Sequence, residues 1–171
     1  MKKVALFMDG WKRYFTYAWP LGFMQKIKEA RADVNLYIFN SNGNWNRDDG
    51  YSYGEYNIYN LPELTDFDGI IISVNNIKYP EVTAELLDRI RKSGVPAISL
   101  ETAFDGLHFV GIDNYDAMYD MTRHMIEKHG AKKVWYLAGP KDNYEAQERC
   151  RAFRDLSLIH ISEPTRRTPI S

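Results

Sequence analysis

Two hydrophobic periods alternate along most of the chain. Short runs that are continuously apolar or β-branched, and bounded by Gly, Asp, Asn or Pro, fall at Lys3–Met8, Asn35–Phe39, Gly69–Ser73, Ala97–Leu100, His108–Ile112 and Lys133–Leu137. Such runs predict parallel strands covered on both faces. Between most of them the spacing becomes helical. Phe23, Ile27 and Ala30 fall at i, i+4, i+7, as do Ala146, Cys150 and Phe153, while Val82, Leu86 and Ile90 repeat every four. Met118, Met121 and Met125 predict a helix running to about His129, with Gly130 as its stop. The predicted order is β-α-β-(short α)-β-α-β-β-α-β-α. With right-handed crossovers this is an α/β fold with a doubly wound parallel sheet.

The connection from Asn40 to Gly54 breaks the rhythm. It is rich in Asn, Gly and Asp and punctuated by Trp45, Tyr51 and Tyr53, which predicts a functional or mobile loop rather than a minimal turn. Composition adds exclusions. The 171 residues are 44% hydrophobic and 26% charged, ordinary globular usage, with a net charge of -1. A strongly basic face for binding nucleic acid is not written into that balance. Cys150 is the single cysteine and makes no internal disulfide, and the apolar run after Met1-Lys-Lys is too short for a signal peptide or membrane span. The expected location is the cytoplasm, with no membrane partner.

In an open parallel sheet a ligand sits outside the carboxyl ends of the strands. The residues at those positions are Asp9, Trp11, Tyr14 and Phe15 after the first strand, and Ser41, Asn42, Asn44 and Trp45 after the second. Asn75 and Asn76 follow the third strand, and Glu101 and Thr102 the fourth. Amides and carboxylates hold hydroxyls directionally, and aromatic faces stack on the apolar face of a sugar ring. The set therefore suits a small, polar, sugar-like molecule, without cofactor or metal. For each aromatic, the competing role is to roof the core.

Leu6-Phe-Met-Asp-Gly10 also permits an enzyme. An acid directly after the first strand resembles haloacid-dehalogenase-like phosphatases and NYN/PIN-type nucleases, and Asp9 with Asp113 or Asp116 could hold Mg2+. Trp11 stands where such a phosphatase needs a second Asp, and the charge balance does not suit a nuclease. Asn44, Asn46, Asp48 and Glu55 have calcium-loop spacing, but Asp49 occupies the position that needs Gly, so the match is read as chance. His124 and His129 read as solvated groups or partners of a helix C-terminal dipole, and Cys150 as a small buried hydrophobe.

The stretch Val110-Gly-Ile-Asp-Asn-Tyr-Asp-Ala117, followed by Thr122-Arg-His-Met-Ile-Glu-Lys-His-Gly-Ala-Lys-Lys-Val-Trp-Tyr-Leu-Ala-Gly-Pro140, resembles the effector-binding domain of the LacI family. Phe67-Asp-Gly-Ile-Ile71, Ser93-Gly-Val-Pro-Ala97 and the helix with Arg149, Arg151 and Phe153 are similar to further segments of it. The resemblance implies a type I periplasmic-binding-protein-like fold with the first lobe complete at 1–101, a crossover at 102–107 and a partial second lobe at 108–155. It places Asp116 at the ligand cleft, against the alternative that Asp113 or Asp116 caps the following helix. It also implies a non-enzymatic sensor of a transcriptional regulator or signalling protein, in which a ligand, sugar-like by the strand-end chemistry, drives lobe closure. A homodimer is implied too. With Met1 taken as the native start, a strand at residue 3 is expected to leave no room before it for a helix-turn-helix. The output domain, whether cyclase, kinase or DNA-binding module, is therefore expected beyond residue 155, with no nucleic-acid contact from this fragment. Residues 156–171 resemble the translation of a transposase sequencing adapter and are expected to be non-native.

Overall fold

The structure is a computed structural model that describes residues 1–10, 14–43, 48–75, 77–141 and 143–160. The chain divides into two compact units, Met1–Gly111 and Ile112–Ser171.

The first unit is built on a five-stranded parallel sheet in the order β2-β1-β3-β4-β5, comprising β1 (Lys2–Asp9), β2 (Val34–Ser41), β3 (Gly69–Ser73), β4 (Ala97–Leu100) and β5 (His108–Val110). The last five residues of β1 are all buried, as a central strand with two covered faces requires. Its side chains alternate between two apolar clusters. Ala5 and Phe7 join Ile70, Ile72, Leu86 and Ile90 on one face, whereas Leu6 and Met8 join Ile71 and Leu100 on the other, with Trp19 and Phe23 packed against them. The first face is covered by α3 (Pro80–Ser93), whose four-residue repeat buries Val82, Leu86 and Ile90, and the second by α1 (Tyr14–Glu29). Pro80 starts α3, where its missing N–H costs nothing, and Gly94 ends it at φ +68°, a conformation only glycine adopts freely.

From Asp48 onward, the connection between β2 and β3 is more ordered than its polar composition predicts. It contains α2 (Asp49–Glu55), capped by the Asp48 carboxylate accepting from the Tyr51 N–H, and then a 3-10 helix, Tyr56–Asn60. Residues three apart eclipse in a 3-10 helix. Tyr56 and Tyr59 accordingly both turn inward, and Tyr59 meets Phe7 edge-on at 5.8 Å while Phe7 stacks on Phe39 at 5.1 Å. Each large side chain fully buried in this way contributes roughly 1.5–3 kcal/mol. Arg89 of α3 fastens the segment from outside by donating to the carbonyls of Tyr59 (2.7 Å) and Pro62 (3.1 Å) and to Asn60 Oδ1 (2.8 Å).

In the second unit α4 (Asn114–Glu127) packs on α5 (Tyr144–His160). Tyr115 is the joint. It stacks on Tyr119, donates to the Asp155 carboxylate at 2.9 Å and carries the Arg151 guanidinium 4.5 Å above its ring.

Three expectations are corrected. The run Lys133–Leu137 is not a strand. Val134 and Tyr136 are half-buried, while Trp135 and Leu137 stand 91% and 96% exposed, so the alternation is present. A ladder also needs a neighbour, and among the described residues no strand lies in the second unit to pair with it. The strand at His108, which the family resemblance assigns to the second lobe, pairs with β4 through Ile98↔His108 and Leu100↔Val110 and therefore closes the first unit, so the boundary falls at Gly111. On α4, Met121 and Met125 face outward and Thr122 is the buried residue. α5 covers only one side of α4, and the methionine spacing marks a different side.

Candidate functional site

The strand order places the candidate site. From β1 the chain first winds one way to β2, then returns across β1 to β3, β4 and β5. Loops leaving the carboxyl ends of β1 and β3 therefore diverge, and that crevice is where open α/β sheets bind ligands. Asp9 ends β1, Ser73 ends β3 with Asn75 two residues on, and Glu101 follows β4. All three predicted polar positions thus share the C-terminal edge of one sheet.

At the β1–β2 side Asp9 is paired in register with Ser41, whose hydroxyl donates to the Asp9 carboxylate at 2.7 Å. The Gly43 N–H and the Tyr56 hydroxyl also donate to that carboxylate. The Tyr59 hydroxyl bridges the Met8 carbonyl (2.9 Å) and Ser41 Oγ (3.2 Å). Gly43 must be glycine for this arrangement, because a Cβ there would lie 2.3 Å from the Tyr56 ring. Asp9 is only 3% exposed, and desolvation pushes its carboxyl up to about 6, against the lowering effect of its hydrogen bonds. Burial likewise raises Tyr56 to about 12 and Tyr59 further, so both phenols remain neutral donors. Asn42, with its amide nitrogen turned toward them, donates to the carbonyls of Ser41 and Gly10 at 3.1 Å each, tying the loop after β2 to the loop after β1.

At the β3–β4 side Asn75 bridges two residues. Its Nδ2 donates to Glu101 Oε2 at 2.8 Å, and its Oδ1 accepts from the Thr102 hydroxyl at 2.7 Å. The Ser73 hydroxyl reaches the same Glu101 oxygen at 3.5 Å. Glu101 holds φ +66°, a left-handed conformation costing a residue with a Cβ about 1–2 kcal/mol. Asn75 is exposed and Glu101 partly so.

The two halves differ in kind. Asp9 is a buried hub that positions Gly43 and Tyr56, whereas Asn75, Glu101 and Thr102 form a solvent-facing polar cluster. Trp11, Trp45 and Asn76, and the side chains of Tyr14 and Phe15 at the start of α1, lie outside the described residues. Asp116 belongs to the second unit, in the first turn of α4. The cap of that helix is Asp113, whose carboxylate accepts from the Asp116 N–H at 2.9 Å, so Asp116 leaves its own carboxylate exposed. Tyr56, Tyr59, Ser73 and Gly43 were not legible as site residues. The one signal was the three-residue spacing of the two tyrosines, which has meaning only in a 3-10 helix.

The Mg2+ alternative needs a second acid facing Asp9. Among the described residues, two hydroxyls and a peptide N–H donate to its carboxylate, and Glu55 acts on it through its charge. Among the described residues no group of three or more His, Cys, Asp or Glu side chains is arranged to hold a metal ion.

No protein-family model matches the chain. It is 30% identical over 145 residues to the HTH-type transcriptional regulator IdnR of Escherichia coli K12, a match covering 84% of this chain and 40% of that protein. The crystal structure of the transcription regulator CcpA of Lactococcus lactis superposes with a TM-score of 0.66 at 18% identity, over 96% of this chain and 56% of the other. An ABC-transporter periplasmic solute-binding protein from Actinobacillus succinogenes 130z, with bound D-allose, gives 0.66 at 17% identity, over 94% and 56%. The chain thus spans between two fifths and three fifths of the length of these proteins. It carries the type I periplasmic-binding-protein-like fold, as the resemblance of the 110–140 block implied.

Proposed function

We propose that the chain is the ligand-sensing part of a bacterial transcriptional regulator, binding a small sugar-like molecule at the C-terminal edge of the first unit's sheet. The observation that carries this reading is the polar cluster Ser73, Asn75, Glu101 and Thr102, standing beside the buried Asp9 hub at the switch point of the strand order. Its acceptors and donors match a hydroxyl's dual character, and no bond is made or broken. D-allose bound to one structural relative and the regulator name of the curated one support the same ligand class and a DNA-binding output. In this reading Met1–Gly111 is the first lobe and the residues from Ile112 begin the second. A ligand with higher affinity for the closed arrangement shifts the lobe equilibrium, and an output module outside this chain reads that shift. Regulators of this kind work in the cytoplasm, and no described helix is long and apolar enough to cross a membrane.

The test is a thermal-shift and calorimetric panel of aldoses, ketoses and other polyols on the purified chain. A saturable rise in melting temperature without turnover, lost in Asn75→Ala, is expected. Absence of any polyol response, or Mg2+-dependent phosphoester hydrolysis abolished by Asp9→Asn, would overturn the proposal.

A further inference from the structure

At the far end of α4 two imidazoles meet. His124 and His129 bring their Nε2 atoms to 3.1 Å, with ring centroids 4.9 Å apart and both side chains exposed. Sequence spacing alone does not predict this. Five residues along a continuous helix turn a side chain about 140° away from its partner, so positions i and i+5 diverge. The end of the helix makes them converge. α4 stops at Glu127, Gly130 adopts φ +62°, and the Ala131 N–H closes on the Met125 carbonyl at 3.1 Å. That closure folds His129 back over the last helical turn.

We infer that His124 and His129 form a two-histidine chelate for a divalent transition-metal ion. Zinc–imidazole bonds of about 2.0–2.1 Å place two ligand nitrogens about 2.9 Å apart at a right angle and about 3.4 Å apart at a tetrahedral one. The observed 3.1 Å lies between. Metal binding requires both rings in the tautomer protonated at Nδ1, which frees both Nε2 lone pairs. The site lies at a helix C-terminus, whose partial negative charge favours a cation, and Arg123, the sequence neighbour of His124, has its charge paired with Asp120. No third His, Cys, Asp or Glu completes the set among the described residues, so water fills the remaining positions. Imidazole ligands select Zn2+, Ni2+ and Cu2+ over Mg2+ or Ca2+.

The chain has four histidines, so the test can be exhaustive. Zn2+ and Ni2+ are titrated calorimetrically into the untagged chain and into His124→Ala, His129→Ala, His108→Ala and His160→Ala, with circular dichroism confirming that each variant is folded. One ion per chain is expected, weakened at least about tenfold in the first two variants and unchanged in the last two. An absence of saturable binding to the wild-type chain, or binding that survives either of the first two substitutions, would overturn the inference.

Discussion

The Ser41 hydroxyl donates to the Asp9 carboxylate at 2.7 Å, joining the C-terminal ends of two adjacent parallel strands at the edge where the candidate ligand site lies. The carboxylate is buried and its pKa is raised from 3.8 to about 6 by desolvation, so it costs stability when ionised. Below 3.8 it is protonated in both the folded and unfolded chain. Between 3.8 and about 6 the folded state retains a proton that the unfolded chain has released, so stability falls as pH rises through that window. Above it the loss levels off at on the order of 3 kcal/mol. Asp9→Asn removes this titration while keeping an acceptor for Ser41. The wild-type melting temperature is expected to fall, relative to that of the variant, between about pH 4 and about pH 7. A constant difference across that range would show that Asp9 does not titrate there.

Gly43 offers a steric test of the same hub. A Cβ at that position would lie 2.3 Å from the Tyr56 ring, which is itself 3% exposed and packed at 5.9 Å from both Tyr59 and Tyr79. With the ring hemmed in, Gly43→Ala must push it or the loop aside. The expected cost is about 1–3 kcal/mol in urea denaturation, the usual range for overpacking. Gly54→Ala is the control, because nothing lies within 4 Å of a Cβ there.

How much of this was legible depends on whether an element is specified by its own residues or by its neighbours. β1 was legible because the run Val4–Met8 is unbroken and apolar, four of its five residues being fully buried. That Asp9, Asn75 and Glu101 lie at or just past strand ends was legible because a strand end is a local feature. The Lys133–Leu137 run has strand alternation, yet pairing is a property of two segments, and only one is present in its unit among the described residues. Tyr56 and Tyr59 were hidden for the opposite reason. Their loop reads as polar, and only its 3-10 geometry turns both rings onto one face. The α4 methionines satisfied a helical period without revealing which side of the helix would be covered.

Glu101 separates stability from binding. Its φ of +66° is strained for any residue with a Cβ, and its Oε2 accepts from Asn75 and Ser73. Glu101→Gly relieves the strain, with an expected gain of up to about 1 kcal/mol after the flexibility of glycine is counted. The same change removes the carboxylate proposed to hold the ligand, and losing a hydrogen bond to a charged group weakens affinity by about tenfold or more. Melting temperature and ligand affinity should therefore move in opposite directions. A parallel fall in both would mean that Glu101 is held in place for structure rather than for binding.

Asp113 and Asp116 sit three residues apart at the start of α4 and play different roles. In the structure the Asp113 carboxylate accepts from the Asp116 N–H, so Asp113 satisfies a donor that the helix leaves unpaired, while Asp116 contributes negative charge to the first turn. Asp113→Ala should therefore cost about 1 kcal/mol and speed amide exchange in the first turn of α4, and Asp113→Asn, which retains the capping oxygen, should restore most of both. Asp116→Asn should leave protection of that turn nearly unchanged, because its backbone N–H is what the cap uses. Amide exchange on the same three variants tells the capping carboxylate from its neighbour residue by residue.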